Sequence, residues 1–137
     1  MGLILDSSVL IAAERRRETV RQMIQRVRAL LGDTESALSA VSAIDLTHGI
    51  YRAKTDADRR RRSAFVDELF RDLVVHPVSL PIAQLAGRIE GEQAAKGISI
   101  PIEDLLIGAT ALHLGFDVAT LNVKHFNLIP GLKTVSL

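Results

Sequence analysis

The sequence predicts an α/β fold: a mostly parallel sheet covered by helices on both faces. Three observations carry this. Short apolar runs of strand length alternate with longer stretches of helical periodicity along the whole chain, the order that a parallel sheet with crossover helices requires. The run Leu3-Ile4-Leu5 is continuously apolar, as a central strand buried on both faces is. The stretch 101–115 is apolar on every side of a helix, which makes it a buried one. With 137 residues and no repeat, low-complexity segment or linker, the chain is expected to form a single domain over 1–137.

Residues 3–5 read as the first strand, ending at Asp6. Asp6-Ser7-Ser8 can cap a helix over 9–14. A second helix is expected over 18–31, where Val20, Met23, Ile24, Val27, Leu30 and Leu31 keep helical spacing and Gly32-Asp33 ends it. Residues 37–41 form a strand candidate, and Ser42 begins a helix that runs through Ile44, Leu46 and Ile50. Residues 54–60 are polar and read as a connection. A helix over 61–73 follows, with Ala64, Phe65, Leu69 and Leu73 on one face. The strand 74–78 belongs at an edge of the sheet because Pro77 cannot donate to a ladder. Pro81 opens a helix that ends near Gly97. Pro101 suits the first helical position of the buried helix, Asp104 falls in the first turn, and Gly115 stops the helix. Residues 117–121 read as a strand leading to Asn122, and the tail over 126–137 as irregular, with a last short strand at 132–135.

Seventeen basic residues nearly balance sixteen acidic ones, so overall charge announces no nucleic-acid partner. The basic residues are clumped, however, in Arg15-Arg16-Arg17 and Arg59-Arg60-Arg61-Arg62. No cysteine is present, which excludes disulfides, thiol catalysis and zinc–thiolate sites. The apolar N-terminal run is broken by Asp6 and has no basic region before it, so it is neither a membrane span nor a signal peptide. The default expectation is a soluble cytoplasmic protein. Five aromatics are available for stacking, Tyr51, Phe65, Phe70, Phe116 and Phe126, which argues against single-strand binding on aromatic platforms.

Four polar groups stand out by position. Asp6 follows the first strand and Asn122 the strand 117–121, while Asp45 and Asp104 lie on early turns of their helices. In open parallel sheets, ligands gather outside the carboxyl ends of the strands. Each group also has a structural reading: Asp6 as an N-cap, Ser42-x-x-Asp45 as a shortened capping box, Asp104 as a complement to the helix dipole, and Asn122 as a turn residue. Together they say more, because three carboxylates in one crevice repel each other unless a cation is present. Oxygen ligands without Cys or His suit Mg²⁺ or Mn²⁺. Rival chemistries lack their motifs. An aspartyl phosphatase wants a second acid where Ser8 stands, and there is no phosphate loop ending in Lys-Ser/Thr and no G-x-S-x-G elbow. No histidine is expected to act as general base, His48 being the nearest exception.

LILDSSVLIAAE near the start, SAVSAIDLTHGI in the middle and EDLLIGATALHLGFDVATLNVKHFNLIPGL at the end resemble the PIN-domain ribonucleases, and most closely the VapC-type toxins of bacterial toxin–antitoxin pairs. The resemblance covers nearly the whole chain and implies a PIN-like three-layer α/β/α fold. It makes Asp6 the family's first acid and Asp104 its third, and puts Asp45 where the family usually has Glu. Asn122 falls where many members have Asp and others Asn; Ser8 and Thr120 match hydroxyl positions beside the acids. Asp45 is a departure: one methylene shorter than Glu, it retracts the carboxylate by about 1.5 Å, so that it would act through a water. The neutral Asn122 leaves one charge fewer than a four-acid pocket has.

The resemblance further implies a Mg²⁺-dependent endoribonuclease. Asp6 and Asp104 would hold the metal, and Asp45 with Asn122 would orient the attacking water. The implied partners are an RNA substrate, a cognate antitoxin that covers the active-site groove, and a second copy of the chain in a homodimer, with no membrane involved. Arg15, Arg16, Arg17, Arg59 and Arg60 are the candidates for receiving the RNA backbone. The alternative is a PIN-like RNA- or protein-binding module that cuts poorly.

Overall fold

The computed structural model describes all 137 residues. Five strands form one all-parallel sheet in the order β3-β2-β1-β4-β5: β1 Gly2–Leu5, β2 Glu35–Ser39, β3 Val74–His76, β4 Asp117–Thr120 and β5 Thr134–Ser136. Seven helices connect and cover them: α1 Ser7–Arg15, α2 Val20–Leu31, α3 Ser42–Tyr51, α4 Asp56–Asp72, α5 Leu80–Ala94, α6 Ile102–Leu114 and α7 Val123–Phe126. β1 sits at the centre, with Ile4 opposite Ala37 of β2 and Val118 of β4.

Side chains on a strand alternate between faces, and this splits the core in two. Leu3, Leu5, Leu38 and Ala119 pack on one side against Leu10, Met23, Leu46, Phe65 and Leu69. Ile4, Ala37 and Val118 pack on the other against Ile82, Ile89, Leu105, Ile107 and Phe126. This is why the central strand reads as an unbroken apolar run. β3 and β5 are the edges, and Pro77 lies just past the end of β3. α6 buries Leu105, Ile107 and Ala109 through Ala111, while Leu106 and Leu112 are half-buried and Ile102 is exposed. It is therefore apolar all round but not enclosed all round. Gly115 ends it in the left-handed conformation, φ 70° and ψ 28°, as a helix-stopping glycine does.

Several boundaries differ from the sequence reading: α1 begins at Ser7 rather than 9, β2 spans Glu35–Ser39 rather than 37–41, β3 ends at His76 rather than 78, and β5 spans Thr134–Ser136 rather than 132–135. The expected connection over 54–60 is already helical from Asp56, because Thr55 Oγ1 accepts the Asp58 N–H and Asp56 and Asp58 fill the first turn. α2 starts at Val20 rather than at 18, behind a capping box of Thr19 and Gln22. The tail is more regular than expected: α7 follows Asn122, and β5 pairs with β4 through Ala119 and Val135. No helix is long and apolar enough to cross a membrane.

Candidate active site

From β1 the chain steps outward to β2 and β3, and later returns to β4 on the other side of β1. The strand order thus reverses beside β1, and open sheets form their ligand crevice at such a switch point. Asp6 ends β1, Asp45 stands on the helix after β2, Asn122 follows β4, and Asp104 begins the helix that crosses over to β4. Topology alone brings all four to one end of the sheet.

Asp6 is 2 % exposed. It occupies the N-cap position of α1, yet its side chain makes no capping bond. Its Oδ2 instead accepts the hydroxyls of Ser8 (2.7 Å) and Thr120 (2.8 Å), while Ser8 Oγ and Thr120 Oγ1 lie 3.4 Å apart. The same hydroxyls accept backbone N–H groups, Ser8 from Leu121 and Thr120 from Asn122. Both predicted hydroxyl positions thus hold Asp6 in place and tie β1 to the chain after β4. Asp45 makes no capping box either, since α3 has no side-chain cap. Its Oδ2 accepts the Ser7 hydroxyl at 2.9 Å. Asn122 is exposed, precedes α7 without capping it, and its amide has no side-chain partner.

Sequence reasoning missed two residues. His125 Nδ1 lies 2.7 Å from Asp104 Oδ2. It stands three residues after Asn122, one helical turn away, and that spacing was the available signal. Glu103, half-buried beside Asp104, carries a carboxyl pushed above the usual range. Burial is the main cause, followed by its interaction with the Asp45 carboxyl and then the charges of Asp45, Asp104 and Asp6. Burial also pushes up the Asp104 carboxyl; the bond from His125 acts against this, and the charges of Asp6 and Asp45 add to it. Glu103 and Asp104 therefore both feel the charges of Asp6 and Asp45.

No three acid or imidazole side chains converge closely enough to ligate one ion directly. The donor set nonetheless fits a hard, hydrated divalent cation. The donors are carboxylate oxygens, Asp6 keeps Oδ1 free while Oδ2 is engaged, and Mg²⁺ retains several waters and is commonly held by only one or two carboxylates.

Beside the acids, a cleft of about 360 Å³ opens between α1, α3 and α4, with Asp45 in its wall. Arg15 lines it, as do Arg52, Lys54 and Arg62. The other predicted cations lie elsewhere. Arg16 pairs with Glu18 at 3.3 Å, Arg17 sits in an exposed turn, Arg59 reaches Asp56 at 3.7 Å, and Arg60 is exposed without an ion pair. Arg61 bridges Glu14 (3.1 Å) and Asp58 (2.6 Å).

Comparison with known proteins identifies the family and the fold. The family model described as PIN domain matches residues 3–131. Ribonuclease VapC1 of Rickettsia felis is 29 % identical over 137 residues, covering 100 % of this chain and 97 % of that protein. Ribonuclease VapC10 of Mycobacterium tuberculosis is 33 % identical over 131 residues, covering 96 % and 90 %. Among solved structures, VapBC2 from Rickettsia felis bound to a DNA fragment from its promoter superposes with a TM-score of 0.84 at 21 % identity, over 100 % of this chain and 99 % of that one. VapBC-5 from Mycobacterium tuberculosis, of the VapBC family of toxin–antitoxin systems, gives 0.73 at 26 % identity, over 99 % and 96 %. By the family model, the identity to VapC proteins and the shared topology, this chain belongs to the PIN-domain family, in its VapC branch.

Proposed function

We propose that this protein is a Mg²⁺-dependent endoribonuclease, hydrolysing RNA phosphodiester bonds as the cytoplasmic toxin of a toxin–antitoxin pair. One observation carries the reading: Asp6, Asp45 and Asp104, distant in the chain, face a single crevice at the carboxyl ends of β1, β2 and β4, where their mutual repulsion calls for a cation. The names of the VapC relatives support the ribonuclease activity, and the VapBC neighbours support an antitoxin partner. A homodimer is part of the proposal; exposed apolar side chains such as Leu80 and Ile102 offer area for pairing.

Asp6 and Asp104 are the residues that would hold the metal. When bound, Mg²⁺ supplies charge neutralisation at the scissile phosphate and acidifies a water for attack. Asp6 is pre-positioned by its two hydroxyl donors, so its carboxylate needs no reorganisation on binding. Asp104 sits in the first turn of α6, where His125 holds one of its oxygens. Asp45, steadied by Ser7, orients the attacking water through a hydrogen bond. The unpartnered Asn122 amide is free to orient that water together with Asp45. Attack by water leaves the RNA 2′-hydroxyl out of the reaction; with the 3′-oxygen as leaving group the P–O3′ bond breaks, and the products carry a 5′-phosphate and a 3′-hydroxyl.

Asp6→Asn and Asp104→Asn are expected to lower cleavage of total RNA by at least about 100-fold, the scale of a lost transition-state charge stabiliser, while circular dichroism stays unchanged. EDTA should abolish the wild-type activity and Mg²⁺ or Mn²⁺ restore it. Full cleavage by both folded variants under metal control would overturn the assignment.

A further inference from the structure

We infer that the cleft between α1, α3 and α4 is a phosphate-binding track that receives the RNA backbone on one side of the scissile bond, with Arg52 and Lys54 as its principal cations. The inference rests on the ribonuclease reading and adds the route by which the polyanion reaches an acidic centre.

The cleft holds four cations, Arg15, Arg52, Lys54 and Arg62, against three carboxylates, Glu14, Asp45 and Asp58. Two of those carboxylates are already taken: Arg61, reaching across from α4, binds both Glu14 and Asp58, and the Asp58 carboxyl is held below its usual range by that contact. The third, Asp45, is occupied by Ser7 and belongs to the acidic crevice. None of the four lining cations forms a direct ion pair: Arg15, Arg52 and Lys54 have no acidic partner, and Arg62 donates to the Gly49 carbonyl at 2.7 Å and feels the Asp58 charge only at longer range. An array of unpaired cations in a concave wall attracts a polyanion, and its release of counterions supplies affinity independent of sequence.

Placement favours Arg52 and Lys54. They flank Ala53, whose side chain is buried and whose N–H bonds the Ile50 carbonyl. The two cations are thereby held at the C-terminal end of α3, one side chain on each side of a pinned residue, while both remain exposed to solvent. Asp45 lies on the same helix, so a strand passing over α3 meets the cations first and the acids next. The arginine run at 59–62 contributes through Arg62 alone: Arg59 and Arg61 are committed to neighbouring acids, and the unpaired Arg60 does not line the cleft.

The test uses the full chain carrying Asp6→Asn, which binds without cutting, and a fluorescein-labelled oligouridylate of about 12 nucleotides followed by anisotropy over a range of salt. Arg52→Ala/Lys54→Ala is expected to weaken binding by about tenfold and to flatten the slope of log affinity against log salt by about 1.4, about 0.7 for each lost contact to a single strand. Arg71→Ala/Arg88→Ala removes the same charge from exposed sites away from the cleft and should change binding less than about twofold, as surface charge alone does. Equal losses in the two double variants, or no loss in the first, would overturn the track.

In the chain with intact acids, Arg52→Ala/Lys54→Ala should raise KM for RNA and leave kcat near wild type. Wild-type cleavage with an unchanged KM in this variant refutes the track and spares the nuclease reading. Cleft-dependent RNA binding by a wild type that never cuts does the reverse. A variant that binds RNA normally but no longer binds the cognate antitoxin assigns the cleft to a peptide, and the inference fails.

Discussion

Asp6 Oδ2 receives hydrogen bonds from both Ser8 and Thr120, and Thr120 Oγ1 in turn accepts the Asn122 N–H. Thr120 is fully buried, so its hydroxyl has no water to fall back on. Thr120→Val keeps the shape and strips out both the donor and the acceptor. The expected cost is about 1–3 kcal/mol, the range for leaving buried polar partners unsatisfied, read as a lower urea midpoint with unchanged slope. An unchanged midpoint would show that the hydroxyl contributes nothing to holding Asp6. How legible the site was in the sequence depends on distance along the chain. Asp6 and Asn122 could be placed because each follows a strand by one or two residues, and parallel sheets put strand ends together. That the Asp6 side chain leaves its own helix uncapped was not legible locally, since its carboxylate is held by Thr120, 114 residues away. Glu103 and His125 escaped for the same reason. Glu103 matters through Asp45, and His125 through Asp104, 21 residues earlier; only the one-turn spacing of His125 from Asn122 pointed to the crevice.

The elements that position the site depend on where α6 stops. Gly115 turns the chain at φ 70° into β4, which carries Thr120 back to Asp6. Gly115→Ala forces a β-carbon into the left-handed region and should destabilise the fold by about 1–2 kcal/mol, measured as a drop in Tm; no drop would mean that the turn tolerates a side chain. This stop was readable because glycine after an apolar helix has a single mechanical reason to be there. The strands were readable for a similar reason: Leu3-Ile4-Leu5 is buried on both faces and shows no alternation. The start of α4 was not readable from apolar periodicity, since its first turn is Asp56-Ala57-Asp58 and its stability there comes from the Thr55 cap. β5 is three residues long and half-exposed at an edge. Its pairing with β4 is decided by the sheet, which offers an open ladder, more than by its own composition.

Across the whole molecule, a formal net charge of only +1 hides a separation of sign: acids collect at the strand ends, and unpaired cations line the neighbouring cleft. The concentration of acids destabilises the metal-free fold, and the sign follows from linkage. The folded-state carboxyls of Asp104 and Glu103 are pushed up, so the folded chain holds their protons more tightly than the unfolded chain does. Their contribution to stability is therefore full at low pH and is lost as pH rises from the ordinary carboxylate range through the raised values. Glu18 and Asp58 are pushed down by Arg26 and Arg61, and what they contribute is lost only as pH falls into and below the ordinary range. As pH rises above the ordinary carboxylate range, where free carboxyls are already ionised, the acidic crevice thus sets the direction among these four groups: the metal-free Tm should fall with rising pH. Saturating Mg²⁺ offsets the repulsion and competes with protons, so it should raise Tm by several degrees, roughly what 2–3 kcal/mol of linked binding gives, and by more at about pH 8 than at about pH 5. Asp104→Asn removes one of the two charges responsible. It should raise the metal-free Tm at about pH 8 and shrink the Mg²⁺ gain. A Mg²⁺ gain that is independent of pH, or one that survives in full in Asp104→Asn, would place the cation somewhere other than at these carboxylates.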